Sequence, residues 1–146
     1  MLVRIPKWAG ALDAYLRASQ SRDFQYGNFD CCLFVADGIR AMTETDIAVR
    51  FRGEYASRRA ALAAGDELCG GASIKAIVES VTEEYGMEEV RMSLARRGDM
   101  VAISRQNGRD LSLGLISLSG REILIAGKIG WGPIPIDRGA RAWRVG

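Results

Sequence analysis

The apolar residues of this chain change their spacing once, at Gly86, and that change constrains the fold more than any other feature. Before it, hydrophobic side chains recur at three- and four-residue intervals, as in Trp8, Leu12, Tyr15 and Leu16, then Cys32, Val35, Ile39 and Met42, then Ile74, Ile77, Val78, Val81 and Tyr85. Such spacing lines one face of a helix. A further short helix is expected within 52–64, from Tyr55, Arg59 and Leu62, ending near Gly65. After Gly86, short apolar runs at 90–94, 100–103, 111–117, 123–126 and 140–145 alternate with turn residues. Asn107-Gly108 and Ser119-Gly120 fall between runs, as hairpin turns do. Trp131-Gly132-Pro133-Ile134-Pro135 reads as a stiff loop before the last strand. Helices first and antiparallel strands afterwards predict an α+β fold, N-terminal helices packed on an antiparallel sheet. The 146 residues carry no repeat or linker, so one domain over 1–146 is expected.

Composition removes several classes. At 48% hydrophobic and 26% charged the chain can bury a core, which excludes intrinsic disorder. No apolar run approaches the roughly 18 residues that span a bilayer. The start, Met1-Leu2-Val3-Arg4-Ile5-Pro6, lacks the pattern of a secretory signal, so synthesis in the cytosol without export by that route is expected. A net charge of +2 does not point to nucleic acid. Three cysteines make neither a disulfide framework nor a zinc pattern, and nothing in the sequence calls for a metal or a cofactor. The chain has no histidine, which removes the commonest general base from every position.

Gly27-Asn28-Phe29-Asp30-Cys31-Cys32 feeds directly into a helix. Asp30 stands where an N-cap should, its carboxylate able to accept an unpaired amide proton of the first turn. A cysteine in that turn meets the positive end of the helix dipole, which favours its thiolate, and the same amides could hold an oxyanion. Cys31 is therefore the candidate nucleophile. Cys32 lies on the apolar stripe and Cys69 beside Gly70-Gly71, both readable as plain buried thiols. An aspartate N-cap and a buried cysteine are also ordinary structural features, so Cys31 alone leaves both readings open. Asp110 and Glu122 flank the strand expected to face it and are the available carboxylate bases.

Three segments together resemble the NlpC-type branch of the papain-like cysteine peptidases, cell-wall amidases and endopeptidases with a permuted chain order. They are Phe24-Gln25-Tyr26-Gly27 with Asp30-Cys31 and Leu33-Phe34-Val35; Gly98-Asp99-Met100-Val101; and Ser112-Leu113-Gly114-Leu115-Ile116 with Leu124-Ile125-Ala126-Gly127. The chain further resembles small phage-encoded members found among tail genes. The leading Trp8 helix, Ala41-Met42-Thr43, Phe51-Arg52-Gly53-Glu54-Tyr55, Arg97-Gly98-Asp99 and Ala142-Trp143-Arg144-Val145 carry that likeness.

The resemblance implies a papain-like fold with Cys31 at the nucleophile position. Ser112 stands at the family's histidine position, Ile125 at the third polar position, and Phe24 at that of an aromatic hydroxyl near the oxyanion site. Serine has no accessible pKa for proton transfer, and isoleucine orients nothing. Loss of the base removes roughly 10²–10⁴ in rate from general acid–base catalysis alone. The expectation is a catalytically degenerate domain, a structural or interaction component of a phage tail tip or tail-assembly complex. Its partners would be other phage tail proteins, and its location the host cytoplasm during assembly and then the virion. The alternatives are a cysteine peptidase cutting peptidoglycan stem peptides with Cys31, and a non-catalytic cell-wall peptide-binding module.

Overall fold

A computed structural model describes residues 1–146, apart from the side chain of Gln106. Four helices come first: α1 (Trp8–Ser19), α2 (Cys31–Thr43), α3 (Arg58–Cys69) and α4 (Ile74–Glu84). Six strands follow: β1 (Glu89–Val90), β2 (Met100–Arg105), β3 (Asp110–Ile116), β4 (Glu122–Ala126), β5 (Trp131–Pro135) and β6 (Gly139–Trp143). They form one antiparallel sheet in the order β1-β6-β2-β3-β4-β5. The α+β layout with helices preceding an antiparallel sheet is therefore observed.

Period-two alternation sorts the strand residues between two apolar clusters. Met100, Ala102, Leu113, Leu115, Leu124 and Trp143 join the larger core with Leu12, Phe34, Ile39 and Val78 from the helices. Val101, Ile103, Ile116, Ile123 and Ala142 point the other way and are closed over by Met92, Ile134 and Ile136. Both sheet faces are thus buried in part, which is why these strands read as near-continuous apolar runs.

Three local expectations are corrected. Residues 131–135 are not a loop but the edge strand β5, with Pro133 opposite Leu124 and Pro135 opposite Glu122. Proline is tolerated there because an edge strand has a neighbour on one side only. The run 90–94 holds just the end of β1 before a short 3-10 helix over Met92–Leu94. The third helix begins later than expected, at an N-cap made by Ser57 accepting from the Ala60 amide, and runs past Gly65 to Gly70. Gly65 is a packing glycine inside the helix, Ile77 of α4 lying where its Cβ would be; the left-handed turn that ends the helix falls at Gly70 (φ 77°).

One buried carboxylate ties the chain ends to the sheet. Asp99 is fully buried and accepts from the Arg4 and Arg144 guanidinium groups and from the Arg96 and Val145 amides, at 2.8–3.1 Å. Four donors on one carboxylate offset the cost of taking its charge out of water.

Candidate functional site

Asp30 caps α2 as its position predicts. Its Oδ1 accepts from the Cys32 and Leu33 amides at 3.1 and 2.9 Å. Its Oδ2 accepts from the Gly27 amide at 3.0 Å and from the Tyr55 hydroxyl at 2.7 Å. The 51–55 segment lies directly over the 24–29 loop, the Gly53 amide donating to the Gly27 carbonyl at 2.9 Å. Gly27 has φ 83°, and a Cβ there would run into the Tyr55 carbonyl oxygen, so glycine is required twice over. This arrangement corrects one expectation. The carboxylate takes up the Cys32 and Leu33 amides, so they are not available to an oxyanion, and of the α2 first turn it leaves the Cys31 amide.

The sheet opens where this helix end meets it. Residue pairing between β3 and β4 is confined to Leu115 with Leu124 and Ile116 with Ile123. Toward Ser112 and Leu113 the pairing stops, and Cys31 docks against both residues. Its sulfur lies 3.8 Å from the Cys32 sulfur, within hydrogen-bond reach, and Ser112 and Leu113 stand close enough to act on its pKa. The Cys31 thiol is held below its ordinary pKa, first by the Cys32 thiol as donor and then by Leu113 and Ser112, against burial and the Asp30 charge. Cys32 is pushed well above its own, by donating to Cys31 and by burial. The two thiols are pushed apart: Cys31 is the more acidic of the pair and Cys32 holds its proton the longer.

Cys31, Ser112, Ile125, Phe24 and Asp30 all line one cleft of about 230 Å³. The positions that the resemblance marks are therefore neighbours, though far apart in the chain. Cys32 also faces a separate apolar cavity of about 60 Å³ between α2, α3 and α4, a gap in the core with almost no polar lining. The two carboxylates considered as substitute bases are placed otherwise. Asp110 is buried and accepts from the Lys75 and Leu111 amides, with Arg58 at 3.6 Å. Glu122 is exposed at the far end of β4, its strand partner Pro135.

Sequence reasoning missed other cleft residues. Tyr26 stands edge-on to Phe24 at 5.0 Å and brings a phenol into the lining. Tyr55 reaches in from the preceding loop, and Arg58, Arg105 and Arg138 stand on the walls. Arg58 and Arg105 open and close elements (α3 and β2), and such terminal arginines read from sequence as solvated ends.

Residues 3–145 match the model of a family described as a domain of unknown function, DUF6950. The chain belongs to the DUF6950 family. No curated protein matches it. In this DUF6950 domain the cleft offers a thiol of lowered pKa, one unclaimed helix-end amide and two phenols. Among its described residues no cluster of three or more His, Cys, Asp or Glu gathers to hold a metal. No described helix is long and apolar enough to cross a membrane.

Proposed function

We propose that this DUF6950 chain is a papain-like domain of the NlpC type that has lost hydrolysis and serves as a structural and interaction component of a phage tail tip or tail-assembly complex. The observation that carries the reading is what shares the cleft with Cys31: Ser112 and Ile125 line it at the positions where the resemblance expects a histidine and its polar partner. A general base must accept the nucleophile's proton and return it to the leaving group. The Ser112 hydroxyl and the proton-retaining Cys32 thiol do neither. Ile125 supplies no polar atom behind them. The tail setting rests on the resemblance of the segments 41–43, 51–55 and 142–145, of which Tyr55 and Trp143 have structural work, one holding Asp30 and the other buried in the core.

One observation favours a second reading, a thiol hydrolase acting on peptidoglycan stem peptides: the Cys31 pKa is lowered, as a nucleophile needs. Incubation of the purified protein with murein sacculi separates the two. The expected result is no release of soluble muropeptides, together with co-purification with tail proteins that Cys31→Ala leaves unchanged. Digestion of sacculi that disappears in Cys31→Ala would overturn the first reading and establish the second.

A further inference from the structure

We infer that the cleft beside Cys31 is a receptor for an acidic peptide segment of a partner protein, gripped through its carboxylates by Arg58, Arg105 and Arg138. This rests on the non-catalytic reading above and names the chemistry of the occupant. The three arginines line the cleft together with Asp30 and with an aliphatic wall of Ile103, Ile125 and Ile134. Among the described residues, Arg58 has one ion-pair partner, Asp110 at 3.6 Å, and Arg105 and Arg138 have none. Asp30, the carboxylate lining the cleft, already accepts four hydrogen bonds and is nearly fully buried, so it has little left to offer a cation.

The cleft is consequently concave, with three arginines and an aliphatic wall in one lining. Planar guanidinium forks match carboxylates, and the aliphatic wall accepts the side-chain stems between them. A peptide suits this better than a nucleic acid. The arginines converge on one hollow, whereas a phosphate backbone needs a row of charges along a track.

The test uses fluorescence anisotropy with a dye-labelled tetraglutamate peptide, its tetraglutamine counterpart, and the tetraglutamate in free-acid and C-amidated forms. Tetraglutamate is expected to bind at least about tenfold more tightly than tetraglutamine, and more weakly as salt rises. Arg105→Gln with Arg138→Gln should weaken it about tenfold. The pair Arg91→Gln with Arg121→Gln removes the same charge from exposed positions outside the cleft and should leave binding within about twofold. Equal binding of the amidated and free-acid forms assigns the grip to side-chain carboxylates; dependence on the free acid assigns it to a chain terminus. Either result supports an acidic peptide. Equal affinity for tetraglutamine, equal losses in both double variants, or tighter binding of an oligonucleotide of the same charge would overturn the inference. Mass spectrometry of the same samples keeps the two proposals apart. Cleavage of the bound peptide overturns the non-catalytic reading and leaves the receptor standing, while absence of both binding and cleavage does the reverse.

Discussion

The Tyr55 hydroxyl donates to Asp30 Oδ2 across 2.7 Å, joining residues 25 apart in sequence. Burial and that carboxylate keep the phenol protonated far above its usual range, so it remains a donor at any working pH. The bond fixes the loop over Gly27 and the cap of the helix that carries Cys31. Tyr55→Phe removes one donor from a buried carboxylate and should cost about 2 kcal/mol of unfolding free energy, the usual worth of a hydrogen bond to a charged group. Urea denaturation measures it. A change under about 0.5 kcal/mol would mean that Asp30 finds an equivalent partner, water included.

Cys31 should be the first of the three cysteines to react with iodoacetamide at pH 7, because its pKa is lowered while that of Cys32 is raised. Ser112→Ala removes the hydroxyl that helps to lower the Cys31 pKa and should slow that reaction about two- to fivefold. Asp30→Asn should act in the opposite sense. The Asp30 charge opposes the thiolate, so removing it speeds alkylation even as the weakened cap costs stability. Peptide mapping after timed quenching reads all three rates. Earlier labelling of Cys32 or Cys69, or no effect from either substitution, contradicts the assignment of Cys31 as the most acidic of the three thiols.

Asp99 is the point at which the N-terminal segment, the turn into β2 and the end of the chain meet. Asp99→Asn keeps the shape and removes the charge that Arg4 and Arg144 share, with their guanidinium groups 3.0 and 2.8 Å away. Breaking a buried pair from one side leaves uncompensated charge, and a loss of about 3–5 kcal/mol is expected. Chemical denaturation of the variant decides it, and a loss below about 1 kcal/mol would show the cluster to be well solvated.

The helical half of the fold was legible because its signals are local. Apolar spacing over 8–16, 32–42 and 74–85 and the aspartate before Cys31 act within a few residues, and α1, α2 and α4 follow them closely. β5 was hidden for the complementary reason. Pro133 and Pro135 are breakers by local rules, and only the register against β4 makes them an edge strand. The site divides in the same way. Asp30 and Cys31 follow from helix-end chemistry, but that Ser112 would touch Cys31 came from resemblance, since nothing local links positions 81 residues apart. The arginines of the cleft came from neither: they converge only because α3, β2 and the turn before β6 end at the same hollow.

Asp46 gives the stability a definite acid limb. Its carboxylate accepts from Arg52 Nε and Nη2 at 3.0 and 2.9 Å and from the Ala48 amide at 3.0 Å. Those bonds, Arg52 first, hold it below its ordinary 3.8. A folded-state pKa lower than the unfolded one means that the unfolded chain binds the proton more readily. The contribution is therefore fully present above about pH 5 and is lost as pH falls through 3.8 and below. Arg52 also holds Asp37 at 2.8 Å, so the segment is not released altogether. Asp46→Asn should lower stability by about 1 kcal/mol at pH 7 and by almost nothing near pH 2, since protonation removes the same charge from the parent. Urea midpoints of both proteins between pH 7 and pH 2 test the sign. A gap that stays constant across that range would assign the role of Asp46 to its shape and not to its charge.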